Sequence, residues 1–498
     1  MRLLVPLPVV LPLLAAAVSM ALHRRAVAQR VLGFVVLAIS LAVTIVVLVG
    51  VRADGPVATQ VGGWPAPIGI TLVADLFAAI MLVISAAMVL AVLVYAIGSP
   101  RTTDDALFFH PLYLILAAGV SASFLAGDLF NLFVAFEVML SASYVLITLG
   151  GTREQVRTGM TYVVISLLAS TLFVTVVGLI YAATGTVNMA DLAAKLADLP
   201  EGVRGGLGLL LLVVFGIKAA IFPLFFWLPD SYPTAPTPVT AIFAGLLTKV
   251  GVYAIIRTQT LLFPTGDGPS LLLLAIAGAT MLVGVLGAIA QNDVKRILSF
   301  HIVSQIGYMV MGLGLFTVAG IAGAIFYIVH HIVVKTTLFL VGGLIENATG
   351  TGALNRLGGL LHRAPLIAFL FIVPALSLAG IPPFSGFVAK LALVQAGFEI
   401  DRFVVVGLSL AVSLLTLFSM MKIWAGVFWG APEEDPPLLA ARGDGRLAAP
   451  ALMVVPTGAL VFLSLAIAGV AGPLYELCRA AAAELAEPAP YVRAVLGA

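Results

Sequence analysis

Apolar runs long enough to cross a bilayer recur from one end of this chain to the other, separated only by short polar or Pro/Gly-rich breaks. A helix needs roughly 20 residues to span the hydrocarbon core. The sequence predicts fourteen such runs, approximately at 3–21, 31–50, 74–97, 107–126, 129–149, 160–183, 207–228, 236–256, 270–290, 298–317, 319–344, 366–397, 404–429 and 449–471. Composition agrees: 62% of the 498 residues are hydrophobic and 10% charged, too few charges for the water-facing skin of soluble domains. The expected fold is an all-α polytopic membrane protein, one membrane domain over 1–498, and a soluble enzyme is excluded.

A net charge of +2, from 25 basic and 23 acidic residues, gives no broad positive field, so nucleic acid is not expected as a partner. The single cysteine, Cys478, makes neither an internal disulfide nor a thiolate cage. No phosphate-binding GxxxxGK[ST], HExxH or dinucleotide fingerprint is present, so no cofactor is expected and the energy comes from an ion gradient or a partner.

The first run resembles a signal peptide, with Arg2 before it and small residues at Ala15–Ala17, but Arg24, Arg25 and Arg30 follow it and argue for a retained helix. Loops after odd-numbered helices hold twelve Lys and Arg, from Arg24 through Arg101 to Arg442 and Arg446. Loops after even-numbered helices hold five: Arg52, Lys195, Arg204, Arg257 and Arg402. Twelve against five places both termini outside the cytoplasm. Ala190–Arg204 and Pro432–Arg446 read as the longer polar loops.

Ionisable groups inside the runs are the informative residues, because each costs roughly 2.5–3.5 kcal/mol on insertion scales and such groups mark ion pathways. Glu137, Lys218, Lys249, His331 and Lys390 stand out. Mid-span residues on neighbouring helices share one depth, so they form a row along the membrane that needs hydrated entrances to reach either side. Lys335, four residues beyond His331, shares its helix face; His330 is turned about 100° away. Low dielectric makes a lysine release its proton more readily, and a nearby carboxylate opposes that. Glu137 approaching or leaving Lys218 would load or discharge Lys249, with His331 as the next step because imidazole both accepts and donates near neutral pH. A fixed Glu–Lys pair that only specifies packing is the competing reading. His301 reads equally as interfacial or as part of the relay, Lys422 as snorkelling, and Asp75 and Asp128 as helix caps.

Pro223 frees the Ala219 carbonyl beside Lys218, and Pro382 and Pro383 free those of Leu378 and Ala379 near Lys390. Broken backbone at membrane depth lines protein or a wet cavity. Matching breaks in two halves signal an inverted repeat, so helices 4–8 (107–258) are paired with helices 9–13 (270–430), with helices 7 and 12 broken. Helices 1–3 (1–106) precede them, and helix 14 with a C-terminal tail (449–498) follows.

The strings GDLFNLFVAFEVMLSASYVLITLGG, WLPDSYPTAPTPVTAIFAGLLTKVGVYAIIR, HHIVVKTTLFLVGG and GIPPFSGFVAK resemble the antiporter-like subunits shared by respiratory complex I, membrane-bound hydrogenases and Mrp-type cation/proton antiporters. Within that superfamily the wording around Glu137, the LPDSYPTAPTPV segment and Lys390 are similar to D-type members of Mrp complexes. The resemblance implies fourteen helices with two inverted five-helix repeats. It also implies a relay in which Glu137 is the helix 5 carboxylate, Lys218 its helix 7 partner, Lys249 the central lysine, His331 the helix 11 histidine and Lys390 the terminal lysine. One departure is that many relatives carry a His after LPDA, where this chain has Ser231 and Tyr232.

The function so implied is a proton-translocating subunit of a multisubunit Na⁺ or K⁺/H⁺ antiporter. It would be multi-pass in a bacterial plasma membrane, with lipid around it and A-, B- and C-type Mrp subunits as partners. The alternative is a proton-pumping membrane subunit of complex I or of a membrane-bound hydrogenase. Cation sites need clustered oxygens, whereas the row is mostly lysine and histidine, so the metal path is expected largely at an interface with another chain.

Overall fold

The computed structural model describes residues 1–99, 108–264, 268, 270–430 and 449–497. Its helices follow the apolar runs in order: α1 Leu7–Ala21, α2 Ala26–Asp54, α3 Leu76–Gly98, α4 Phe109–Leu125, α5 Leu129–Thr148, α6 Arg153–Thr184 and α7 Glu201–Ala219. Then come α8 Thr237–Leu261, α9 Leu271–Ile289, α10 Val294–Gly314, α11 Val318–Thr349, α12a Pro365–Ala379, α12b Ser385–Glu399, α13 Phe403–Trp429 and α14 Ala451–Gly469. Among the described residues eleven helices are long and apolar enough to cross a membrane, and α1, α4 and α12a are shorter apolar helices. Arg101 and the Pro432–Arg446 segment lie outside the described residues.

Burial sorts these helices. The apolar windows of α8 and α11 are wholly buried inside the bundle and that of α10 nearly so, whereas α2, α6, α13 and α14 keep most of theirs on the outside. The three innermost helices therefore carry Lys249, His301, His331 and Lys335, all with no exposed surface. A helix with no lipid-facing side is the affordable place for an ionisable group at membrane depth.

Both broken helices end in the same way. α7 closes on Ala220 (φ 58°) and α12a on Gly380 (φ 86°), and the Ile221 and Ile381 amides reach back to the Gly216 and Leu376 carbonyls, each at 3.1 Å. Left-handed residues with such bonds satisfy the last carbonyls of a terminating helix. A second device also occurs twice. Asp128 caps α5 and its backbone bridges Asn188 after α6, while Asp293 caps α10 and bridges Ala353 after α11. With each helix counted as one crossing, these two caps lie five crossings apart, on opposite sides.

Several sequence expectations require correction. Ala190–Arg204 is not one loop: Met189–Lys195 is a short helix capped by the Asn188 side chain, and α7 already begins at Glu201. Arg257 is not a loop residue, because α8 continues to Leu261 and holds it buried. The stretch after α2 forms a hairpin, β1 Val57–Gln60 paired antiparallel with β2 Thr71–Ala74, too short to register as a periodic pattern. The C-terminal tail folds into α15 Ala471–Ala486 and α16 Ala489–Leu496. They lie across the side that carries the chain termini, with the Glu484 carboxylate accepting the Leu76 amide at the start of α3.

Candidate functional site

The row begins on α5. Glu137 is half-buried, and its carboxylate accepts from the Ser170 hydroxyl of α6. Lys218, buried on α7, donates to that same hydroxyl at 3.0 Å and to the Ser166 carbonyl at 3.2 Å. Its ammonium also lies 5.8 Å from the Phe136 ring centroid. The Ala219 carbonyl beside the Pro223 break is thus not the acceptor Lys218 takes. It finds α6 instead, because a lysine side chain on a helix leans toward the preceding turn.

Lys249 follows a five-residue π turn, Phe243–Leu247, inside α8. Its ammonium donates to the Ala244 carbonyl within that turn and to the Thr248 hydroxyl at 3.3 Å. A π turn widens the backbone ring and leaves a carbonyl open to such a donor, and these turns recur at functional sites. α7 and α8 meet closely beside the two lysines: a Cβ at Gly251 would sit 2.6 Å from the Ala219 amide nitrogen and 2.9 Å from the Lys218 carbonyl carbon.

On α11 both ring nitrogens of His331 and the Lys335 ammonium are buried without a hydrogen-bond partner in the protein. His330 Nε2, His301 Nδ1, Gln305 Nε2 and Thr336 Oγ1 share that condition. Such polar atoms concentrated between two helices are the kind that ordered water satisfies. Around them the rings form a column, with Tyr327 stacked on His331 at 6.4 Å and on Tyr308 at 5.2 Å, and Lys390 Nζ 4.9 Å over the Tyr308 centroid. Tyr327 donates to Gln305, and Tyr308 to the Ser409 carbonyl of α13 at 2.6 Å. Lys390 donates to the Ala379 carbonyl at 3.0 Å, the acceptor that the Pro382–Pro383 break predicts. His330 pairs with Ser385 at 2.9 Å beside the break, and its ring meets Tyr327 edge-on at 5.7 Å.

The other candidates resolve as follows. His301 is buried and meets Ser419 at 2.9 Å, an interior position and not an interfacial one. Lys422 ties down the end of α9 through the Ile289 and Gln291 carbonyls. Asp75 caps α3 and also forms a buried ion pair with Arg257 at 2.6 Å. Among the described residues no cluster of three or more His, Cys, Asp or Glu could hold a metal ion.

Comparison with known proteins bears on this arrangement. Residues 126–416 match the NADH:quinone oxidoreductase/Mrp antiporter transmembrane family. The chain is 46% identical over 496 residues, 99% of each chain, to the D-type polypeptide of the Na⁺/H⁺ antiporter of Alkalihalophilus pseudofirmus. It is 40% identical over 432 residues to the corresponding Na⁺/H⁺ antiporter polypeptide of Bacillus subtilis, covering 86% of this chain and 88% of that one. This chain belongs to the D-type family of Mrp antiporter proteins. Its structure is similar, over 100% of both chains, to one in the Mrp complex from Dietzia sp. DQ12-45-1b, with a TM-score of 0.92 and 37% identity. A chain of the archaeal membrane-bound sulfane sulfur reductase matches with a TM-score of 0.89 and 26% identity, again over the whole of both.

For this Mrp D-type chain, the sequence reading missed Ser166, Ser170, Gln305, Tyr308 and Tyr327. Serines and tyrosines are common in spans, and only the fold brings Ser170 between a carboxylate and an ammonium that lie 81 residues apart in the chain.

Proposed function

We propose that this chain is the proton-translocating subunit of a multisubunit Na⁺ or K⁺/H⁺ antiporter, with protons passed along the row Glu137–Lys218–Lys249–His331–Lys390. Lys335 and His330 serve as side stations. It works in a bacterial plasma membrane with both termini extracellular, as part of a hetero-oligomer with A-, B- and C-type subunits. The membrane potential, about 2.3 kcal/mol per charge per 100 mV, drives the exchange, and the chain acts as a secondary transporter, not an enzyme. Helices α4–α8 and α9–α13 form two inverted repeats, a reading supported by the paired breaks and the paired Asp caps.

The observation that carries the relay is burial: Lys218, Lys249, His331, Lys335 and Lys390 all lie inside the bundle, and none of them has a carboxylate ion-pair partner among the described residues. Basic groups kept so without contact ion pairs, Lys218 alone reaching a carboxylate and only through Ser170, fit groups that gain and lose protons better than groups that hold helices together. Lys249→Ala and Lys390→Ala should each abolish cation-dependent proton movement in vesicles holding the assembled complex, without preventing assembly. Unchanged exchange in both variants rejects the relay.

The likeness to the archaeal sulfane sulfur reductase chain favours a second reading, a pump module driven by electron transfer. Neighbouring genes for iron–sulfur and quinone-site subunits would support it, and a cluster of small membrane subunits would support the antiporter.

A further inference from the structure

A groove between the termini-side halves of α9 and α13 belongs to none of the machinery above. Its volume is about 470 Å³. Ala275, Gly278 and Ala279 make its floor, with Leu271 and Leu282 at its two ends on α9 and Leu408 facing them from α13. Leu271 to Leu282 is about 16 Å of helix at 1.5 Å per residue. That is roughly one leaflet of a hydrocarbon core about 30 Å thick. A spanning helix of a partner protein would call for a groove through the full thickness.

Chemistry at the mouth matches this depth. Among the described residues, Asp401 and Arg402, where α12b turns into α13, are the only charged ones lining the groove. Asp401 is exposed, whereas Arg402 Nε is buried with no hydrogen-bond partner in the protein. An orphan guanidinium N–H is costly to bury, and its planar fork suits a phosphate. The neighbouring carboxylate complements an ammonium.

We propose that this groove binds one phospholipid of the termini-side leaflet, an acyl chain lying on the Ala275–Ala279 floor and the phosphate on Arg402, with an ethanolamine ammonium on Asp401. Association inside a bilayer comes from packing and hydrogen bonds, not from leaving water, and a fitted slot with a headgroup clamp supplies both. The lipid lies against α13, whose Ser409 carbonyl holds the Tyr308 hydroxyl beneath Lys390. The site does not depend on the relay reading.

The test is native mass spectrometry of the assembled, detergent-purified complex titrated with phosphatidylethanolamine and, separately, phosphatidylglycerol. The parent should retain one lipid more than Arg402→Gln, and one more than Gly278→Leu, which fills the floor. Phosphatidylethanolamine should bind several-fold more tightly than phosphatidylglycerol, and Asp401→Asn should erase that preference. A benzoylphenylalanine photocrosslinker at Leu282 should yield a lipid adduct. Equal lipid counts in the parent and Arg402→Gln, meaning annular lipid only, would overturn the proposal even if Gly278→Leu does not assemble. A crosslink from position 282 to another polypeptide would overturn it as well.

Discussion

Glu137 and Lys218 meet through the hydroxyl of Ser170, which donates to the carboxylate and accepts from the ammonium at 3.0 Å. A serine in that position changes what the pair does. The two charges attract without a contact ion pair, so small movements of α6 lengthen or shorten the link.

Ser170→Ala removes the shared hydroxyl while leaving both charges. A hydrogen bond to a charged group contributes about 1.5–3 kcal/mol, so cation-driven proton exchange should slow by about 10- to 100-fold. Ser170→Thr, which keeps a hydroxyl, should retain most of the rate. Initial rates of pH change in vesicles check both, and a Ser170→Ala rate equal to the parent's would remove the serine from the mechanism.

At the far end of the row, Gly380→Ala should impair transport more than assembly. The residue sits at φ 86°, where a side chain costs roughly 1–2 kcal/mol. An added Cβ would also lie 2.8 Å from the Lys390 Cδ and push the ammonium off the Ala379 carbonyl. Co-purification of the complex together with exchange rates separates the two effects. Loss of assembly with normal activity in the residual complex would contradict the assignment.

The Asp75–Arg257 pair predicts a different phenotype, in stability. Both side chains are almost fully buried, and the guanidinium also lies over the Tyr253 and Tyr491 rings. Breaking a buried pair by removing one partner costs about 3–5 kcal/mol. Asp75→Asn and Arg257→Met should therefore each lower the melting temperature of the purified complex, and the double Asp75→Leu, Arg257→Met should recover much of it. Single variants that melt with the parent would show the pair to be dispensable.

Docking of α15 should depend on pH. Burial, opposed by the Leu76 amide and Arg257 and reinforced by Asp75, leaves the Glu484 carboxyl pushed up to about 7. Burial likewise lifts the Asp128 carboxyl nearby to about 6. Because docking raises the affinity of Glu484 for its proton, docking is fully favoured below the ordinary carboxylate range and weakens as pH rises through about 7. Hydrogen-exchange protection of α15, corrected for intrinsic rates, should fall between pH 6 and pH 8, and Glu484→Gln should flatten that change. A parent profile flat over that interval would be the contrary result.

Much of this architecture was legible in the sequence because its cause is local. Apolar length alone marks the helices, and the IFP and IPP triplets mark where α7 and α12a stop. The Lys390–Ala379 bond could be anticipated from proline chemistry, since donor and acceptor lie 11 residues apart. What stayed hidden depends on partners supplied by distant segments. Arg257 read as a loop charge because its carboxylate is 182 residues away, and Ser170 carries no mark of its own. α15 stayed hidden for another reason: its alanine-rich face is neither long nor apolar enough to read as a span, and the helices beneath it, chiefly α11 and α3 with α8 beside them, are distant in sequence.

Gly251 sets a mechanical limit on how far apart the two lysines of the first half can be. With only a hydrogen there, α7 and α8 press backbone against backbone at the level of Lys218. A single methyl would act as a wedge, widening the gap between the two lysines without touching any group that titrates. The spacing of Lys218 and Lys249 is thus gauged by a residue that has no side chain of its own.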